Sequence, residues 1–180
     1  MSLKPISRTT SSQAQSPAQD HADRILAQWG RERPDLDVSP MAIIGRISRA
    51  ERLIDARMKA VSLDFRLERW GFDVLATLRR AGEPYRLTPT QLFQSLMLTS
   101  GAITNRIDRL EEAGFVERLV DPGDRRGTLV SLTRNGHKLI DRALAAHMET
   151  EEDMLAPLSS SDRQKLADLL RILLLHLETP

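Results

Sequence analysis

Two neighbouring stretches of the chain carry polar and basic side chains in patterns that suit binding to a polyanion. Over 99–114, a helix with about 100° per residue places Thr104, Asn105 and Arg109 opposite its apolar positions. The loop that follows, DPGDRRG over 121–127, carries two adjacent arginines. Short polar groups near a helix N-terminus and forked guanidinium groups suit hydrogen bonds to base edges and phosphates. The chemistry predicted here is therefore recognition of DNA rather than the making of bonds.

The candidate DNA contacts come from the start of the preceding helix, the polar face of this helix and the tip of the loop. They are Thr88, Thr90, Gln91, Ser100, Gly101, Thr104, Asn105, Arg109, Asp124, Arg125 and Arg126. Arg125 and Arg126 suit insertion into a minor groove, because narrow A·T stretches concentrate negative potential there. Asp124 is expected to accept hydrogen bonds from loop amides or a neighbouring arginine and so to hold the tip in shape. The alternatives are an ordinary solvated helix face and a solvated hairpin with a surface ion pair.

The composition excludes several other classes of protein. The formal net charge is only +1, so the bulk charge does not itself indicate a nucleic-acid partner, although 22 arginines stand against 4 lysines. Cysteine is absent, which excludes disulfides, thiol nucleophiles and cysteine-based zinc sites. No apolar run reaches the roughly 18 residues of a membrane span, and the N-terminus lacks the apolar core of a signal peptide. We therefore expect a cytoplasmic protein without a membrane partner.

Catalysis is the first rival to DNA binding, and it finds little support in the residue pattern. Neither a nucleophile–base spacing nor a phosphate-binding glycine loop occurs. His137 and Asp141 lie four residues apart on a predicted helix and have the chemistry to bind a metal, although a surface pair is the favoured interpretation. The prediction is a protein that is not an enzyme and has no catalytic residue, metal or cofactor.

Start and stop signals mark the two helices that carry these contacts. Thr88 and Gln91 form a predicted capping box, with Pro89 at the first helical position. The cap of the second helix falls on the Thr or Ser at 99–100, and Gly114 is predicted to end that helix in a left-handed conformation. The short connection between the two helices is typical of a helix-turn-helix.

Two alternating segments, Val116–Val120 and Thr128–Leu132, predict a β-hairpin around the arginine-rich loop. Two helices followed by such a hairpin form a winged helix-turn-helix. This fold places one helix in a DNA major groove and the loop in the neighbouring minor groove.

Longer helices flank the winged segment on both sides. Helical spacing of apolar residues predicts helices over 21–31, 40–63, 67–81, 133–155 and 159–178. The last of these is apolar nearly all round, so it needs burial on more than one side. Packing of the N- and C-terminal helices of two chains in a two-fold dimer meets this need, and burial in the chain's own core is the alternative.

The predicted fold class is therefore mainly α with a small β-hairpin, a winged helix-turn-helix with N- and C-terminal helices forming a dimerisation region. The predicted segments are a disordered arm over 1–19, N-terminal helices over 20–66, the DNA-binding domain over 67–136 and C-terminal dimerisation helices over 137–180.

The stretch from LTPTQLFQSLMLTSGAITNRIDRLEEAGF to VSLTRNG resembles the core of the MarR family of bacterial transcription regulators. The DPGDRRG loop followed by VSLTRNG is its most specific part, and the resemblance extends over about 20–178. It implies a homodimer that binds palindromic operators and, usually, repression that a small ligand relieves. The half-sites of such a dimer are expected about one helical turn apart.

A narrower resemblance links the chain to the urate-responsive HucR/PecS/MftR branch of that family. It rests on the extra N-terminal helix with Trp29, on WGFDVLATLRRAG, and on the SGAITNRI and VER stretches. It implies a pocket between the 20–66 helices and the winged domain. Trp29 is implied to hydrogen-bond to or stack on the purine, and Arg118 to pair with the urate anion. Asp73 is implied to be repelled by that anion, and Arg106 to carry the shift to DNA.

Three of these four positions also have a plainer interpretation. Asp73 can form a helix-surface ion pair with Arg69, Arg106 can contact phosphate, and Trp29 can anchor its own helix. Arg106 lies about 60° from the buried stripe of its helix, and alternation along the strand turns Arg118 towards the protein. A phenolic or other aromatic carboxylate is an alternative ligand. A winged module that docks a protein instead of DNA is the alternative function.

Overall fold

The computed structural model describes residues 19–96 and 103–179, in the second range without the side chains of residues 125 and 126. Within these ranges the elements are α1 (His21–Glu32), α2 (Pro40–Asp64), α3 (Arg69–Arg80), β1 (Arg86–Leu87), α4 (Pro89–Ser95), α5 (Ile103–Glu112), β2 (Val116–Asp121), β3 (Asp124–Leu132), α6 (Arg134–Leu155) and α7 (Ser160–Leu177). All but the last residue of the predicted arm over 1–19, together with Ser100, Gly101 and the alternative cap at 99, lie outside the described residues.

The chain divides into two compact units, 1–51 and 52–180, with the boundary inside α2. In the first unit, Asp20 and Asp23 form a capping box at the start of α1. Arg46 of α2 donates from Nε to Asp20 at 2.8 Å and from Nη2 to Asp23 at 2.6 Å. These three charged groups join the start of α1 to α2. The helix predicted over 21–31 is confirmed, whereas the division into four segments stays a prediction.

A hydrophobic core in the second unit joins α3, α4, α5 and α6 to a small sheet. Its members include Val74, Leu75, Leu78, Leu92, Ile107, Leu110, Val116, Val130 and Ile140. Ile107 and Leu110 bury the inner face of α5, and Ile103 packs beside them. The apolar stripe predicted for this helix is therefore confirmed.

The sheet has the strand order β1-β3-β2, and neighbouring strands are antiparallel. β2 and β3 form the predicted hairpin, in a register that pairs Val116 with Leu132 and Arg118 with Val130. β1 adds a strand that the local pattern does not indicate, because its two residues are fixed by pairing with β3 about forty-five positions later in the chain. The fold class is the one predicted, with this strand added.

The turn of the hairpin is tighter than the loop predicted over 121–127. β2 runs to Asp121 and β3 begins at Asp124, which leaves two residues between the strands. The Asp121 side chain accepts a hydrogen bond from the amide two residues on, at 2.8 Å. Strand pairing therefore continues further towards the turn than the sequence predicts. The backbone of Arg125 and Arg126 belongs to β3, so their prediction as the loop tip is corrected to the adjoining strand.

Two glycines act where the chain turns or approaches itself closely. Gly114 follows α5 with a φ of +73°, which confirms the predicted left-handed helix end. Gly136 lies in the first turn of α6, where an added Cβ would stand 1.9 Å from the Phe115 carbonyl oxygen. α6 thus passes the connection between α5 and β2 at a distance that only glycine permits.

The last helix differs from the others of its unit because it buries none of its residues. Leu169, Ile172 and Leu175 are 65%, 67% and 62% exposed. The alternative in which α7 is buried in the core of its own chain is therefore wrong. In the described part of the chain, no helix combines the length and the apolar character needed to cross a membrane.

Candidate functional site

The outer face of α5 presents the polar residues that were predicted to contact DNA. Thr104 and Asn105 are exposed, while Ile107 and Leu110 hold the opposite face in the core. The helix therefore offers a short polar surface on a rigid support. The side chains of Arg125 and Arg126 lie outside the described residues, and Asp124 is exposed.

The start of α4 is fixed by the predicted capping box. Thr88 Oγ1 accepts from the Gln91 amide at 3.1 Å, and Gln91 Oε1 accepts from the Thr88 amide at 2.9 Å. These two candidate DNA contacts therefore already satisfy backbone groups of their own helix. Thr90 lies between them and is exposed.

Arg109 of α5 is drawn towards the start of α3. Its Nη2 donates to Glu68 Oε1 at 3.0 Å, and its guanidinium carbon lies 4.9 Å from the centre of the Trp70 ring. Trp70 Nε1 donates to the other Glu68 oxygen at 2.6 Å. The hydrogen bond from Trp70, followed by that from Arg109, holds the pKa of Glu68 below its usual value. The contact of Glu68 and Trp70 with Arg109 could not be predicted from the sequence, because 41 positions separate Glu68 from Arg109.

Arg106 points from α5 towards α3 rather than towards the exposed polar face. Its guanidinium carbon lies 5.8 Å from the centre of the Trp70 ring. One of its terminal nitrogens, Nη1, is buried without a hydrogen-bond partner. A buried guanidinium nitrogen without a partner is costly, so Nη1 is available to donate a hydrogen bond to a new partner. The flank position predicted for Arg106 agrees with this geometry.

Asp73 of α3 is half-buried in the same part of the unit. Burial raises the pKa of its carboxyl, against the opposing electrostatic effects of Arg69, Arg106, His147 and Arg80. Arg69 donates to the Asp55 carboxylate of α2. The alternative of a local Arg69–Asp73 pair is therefore replaced by a pairing between helices.

A cavity of about 400 Å³ opens beside Asp73. Its lining is Arg69, Phe72, Asp73, Ala76, Thr77, Arg80, Ser95 and Leu96. Arg80 Nη2 donates to the Ser95 carbonyl at 2.9 Å, which ties α3 to the end of α4. A flat ring, a carboxyl, a hydroxyl and guanidinium groups in one cavity suit a small planar molecule that carries both hydrogen-bond donors and acceptors.

Arg118 on β2 is occupied by two carboxylates of α5. Its guanidinium donates to Asp108 and to Glu111, and its backbone amide donates to Glu111 Oε1 at 3.0 Å. Burial opposes the charged form, but the hydrogen bonds that the guanidinium donates to Asp108 and Glu111 outweigh it and raise the pKa of Arg118. Arg118 thus clamps the hairpin to α5, and its guanidinium is already paired with two carboxylates.

Trp29 belongs to the first unit, where it lies in the last turn of α1. It is 44% exposed, and its carbonyl accepts the Arg33 amide at 2.8 Å. Trp29 is exposed on a short helix, and its role in ligand binding stays a prediction.

His137 and Asp141 form a surface pair on α6, with His137 Nδ1 3.2 Å from Asp141 Oδ2. Arg79 Nε donates to the other oxygen of Asp141 at 2.7 Å. This carboxylate is thereby shared between two partners. Among the described residues no group of three or more histidine, aspartate or glutamate side chains is arranged to hold a metal ion.

A winged helix-turn-helix flanked by long helices is the architecture of a transcriptional regulator, and comparison with known proteins gives the family. Residues 68–128 match the MarR family. The regulator PecS of Dickeya dadantii (strain 3937) is 44% identical over 146 residues, which cover 81% of this chain and 88% of PecS. The chain belongs to the MarR family of transcriptional regulators and is therefore not an enzyme.

Solved structures agree with this assignment. A mutant MarR from E. coli, crystallised in complex with operator DNA, has a TM-score of 0.66 and 28% identity, covering 77% of this chain and 99% of its own. AbsC, a MarR family regulator from Streptomyces coelicolor, has a TM-score of 0.72 and covers 81% of this chain and 98% of its own. At 21% identity the likeness to AbsC concerns the fold.

Proposed function

We propose that the protein binds a palindromic operator as a homodimer and represses transcription until urate or a related anionic purine releases it. The observation that carries DNA binding is α5, which exposes Thr104 and Asn105 over a buried apolar face and is followed by the arginine-bearing hairpin. The similar E. coli MarR bound to operator DNA supports this. We also propose that the protein is cytoplasmic.

The proposed dimer draws its support from α7. A helix that exposes large apolar side chains around its circumference is stable in water only when another surface covers it. Two-fold packing against a second copy supplies that surface and sets two recognition helices at a fixed spacing.

DNA binding is tested by fluorescence anisotropy with a labelled duplex from upstream of the protein's own gene. We expect affinity that falls with salt, because arginine–phosphate contacts release counterions. Asn105→Ala is expected to cost about 1–3 kcal/mol of operator binding, as a lost base contact does. Gln28→Ala, which truncates an exposed amide on α1, is the matched control and should leave binding unchanged.

The rival function, a winged module that docks a protein, predicts a different result. Such a module binds duplex weakly, without sequence preference, and Asn105→Ala then has no effect on it. Equal affinity for the upstream duplex and for a scrambled duplex of the same length would favour this rival.

The proposed ligand site is the cavity beside Asp73, with Arg106 as the group that responds to it. Urate is planar and anionic at neutral pH, which suits a cavity with a flat ring and guanidinium groups. An anion that enters beside the half-buried Asp73 competes with its carboxylate for the positive charges around it. The resulting change reaches α5 through Arg106, whose buried nitrogen lacks a partner.

The energy that this response needs is small. A tenfold loss of operator affinity corresponds to about 1.4 kcal/mol of coupling between the two sites. A modest change in the spacing of two recognition helices is enough to supply it, because both must match the grooves at once.

Isothermal titration with urate tests the ligand. In the anisotropy assay we expect Asp73→Asn and Arg106→Gln to keep operator binding but blunt its release by urate. Trp29→Phe tests the role in urate binding that the resemblance implies for Trp29. Arg118→Gln tests whether the clamp of Arg118 opens to hold the anion. Salicylate represents the alternative class, the phenolic or aromatic carboxylate, and stronger release by salicylate than by urate would favour it.

A further inference from the structure

We propose that the Thr77 hydroxyl is a ligand-binding group in the cavity beside Asp73, and that it selects heterocycles with polar ring edges over simple aromatic carboxylates. The inference rests on the proposed ligand site and names a residue and a selectivity for it. Thr77 is only 2% exposed and lines the cavity, and its Oγ1 is buried without a hydrogen-bond partner.

Among the described residues, Thr77 is the only serine or threonine whose buried hydroxyl lacks a hydrogen-bond partner. Thr150 of α6 donates to the Ala146 carbonyl at 2.9 Å, and Ser62 of α2 donates to the Met58 carbonyl at 3.1 Å. Helical serine and threonine commonly satisfy themselves in this way, and buried polar groups nearly always have a partner. The Thr77 hydroxyl lacks such a partner, and its residue lines the cavity.

Other polar side chains of α3 lie in the same cavity as Thr77. Thr77 follows Asp73 by four residues, so the two side chains lie one turn apart on the same face of α3. Arg80 lines the same cavity. A guanidinium that donates and a hydroxyl that both donates and accepts therefore meet in one space, beside the carboxyl with which an anion competes.

These groups match one class of ligand better than another. A purine anion such as urate has N–H donors and C=O acceptors around its rings, so a hydroxyl finds a partner at several orientations. Benzoate has C–H along most of its edge and leaves a hydroxyl at that edge unpaired. Sites that hydrogen-bond a ligand reject analogues that lack the matching group.

The experiment measures urate and benzoate binding by isothermal titration, and thermal unfolding without ligand, for four proteins. Thr77→Val removes the hydroxyl at nearly constant shape, and Thr77→Ser keeps it. Thr150→Val removes a hydroxyl that already has a partner and is the matched control. Wild type supplies the reference for all three.

We expect Thr77→Val to raise the Kd for urate about tenfold, or about 1.4 kcal/mol, and to leave benzoate binding unchanged. The same variant should melt about 2 °C or more above wild type, because it removes an unpaired buried hydroxyl. Thr77→Ser should keep urate binding within about threefold of wild type. Thr150→Val should bind urate as wild type does and should not gain melting temperature.

Three results contradict the inference or part of it, and they are distinguishable. If wild type binds urate and Thr77→Val binds it equally well, the role of Thr77 is wrong while the proposed ligand stands. If wild type binds no urate, the proposed ligand is wrong and the role of Thr77 falls with it. A loss of urate and benzoate binding together would also contradict the selectivity.

Discussion

The winged core and α7 belong to the same compact unit, but the core buries its apolar residues whereas α7 exposes them. Leu75, Leu78 and Ile140 of the core are completely buried within one chain. Ile172 and Leu175 of α7 are more than three-fifths exposed. The core therefore needs nothing beyond its own chain, whereas α7 presents an apolar surface that water does not favour.

This difference separates two tasks in one molecule. The core fixes α5 against α3 and the sheet, so it determines the shape of one recognition surface. α7 has the surface chemistry for joining two copies, so in the proposed dimer it determines how far apart two such surfaces stand. Substitutions in the two regions should accordingly fail in different ways.

The largest effect is expected at Gly136, where the core allows no side chain. Gly136→Ala places a Cβ against the Phe115 carbonyl oxygen, so the free energy of unfolding should fall by about 3 kcal/mol or more. Gly45→Ala is the matched control, because an added Cβ in α2 meets nothing within 4 Å. It should be neutral or stabilise by up to about 1 kcal/mol. Urea unfolding measures both, and equal stability of the two variants would contradict this packing.

A charge on α7 should separate chains without unfolding the core. Burying the carboxylate of Ile172→Glu at a dimer interface costs on the order of 3 kcal/mol, or about a hundredfold in the dimer Kd. Sedimentation velocity should show monomers, and circular dichroism should show undiminished helix content. Gln164→Glu adds the same charge at a polar position of α7 and should stay dimeric. An Ile172→Glu protein that remains dimeric would refute the role of α7.

Arg118 extends the comparison between the winged core and α7 to polar contacts, because its ion pairs with α5 lie within the winged region. Arg118→Ala leaves Asp108 and Glu111 without their shared cation and should lower the free energy of unfolding by about 1 kcal/mol. Arg33→Ala breaks an ion pair whose side chains are at least half exposed and should have almost no effect. Thermal unfolding compares the two variants, and equal melting temperatures would contradict a stabilising role for the Arg118 ion pairs.

The smallest effect concerns the charge of Asp73. Burial raises its pKa in the folded protein, so its stabilising contribution is complete below the ordinary value of 3.8 and is lost as the pH rises through the raised value. Asp73→Asn does not suffer this loss. It should melt roughly 1–3 °C above wild type at neutral pH, with a gap that narrows as the pH falls towards 3.8. A gap that is independent of pH would contradict a raised pKa.

The sequence predicts the helices of this fold well because their ends carry local chemistry. Thr88 and Gln91 cap α4, Thr133 caps α6, and Gly114 ends α5, all through atoms within a few residues. β1 escapes prediction because its pairing with β3 is long-range. Hairpin length is likewise set by strand pairing rather than by the turn residues.

The candidate site is predictable only in part, for the same reason. The buried and exposed faces of α5 follow from the helical period, and so does the flank position of Arg106 between them. The Glu68–Trp70 contact with Arg109 and the unpaired hydroxyl of Thr77 depend on how α3 packs in three dimensions. Arg69 is an example, because its ion-pair partner is Asp55 of α2 and not Asp73, which is closer to it in the sequence.

The central claim, a urate-released operator-binding dimer, is tested most directly by one titration. Anisotropy of a labelled duplex from upstream of the protein's own gene is followed at fixed salt as urate is added. The account predicts tight binding to this duplex over a scrambled one, full release by urate, and weakened release for Asp73→Asn. Binding that urate leaves intact would contradict the ligand, and equal binding to the scrambled duplex would contradict the regulator's proposed operator.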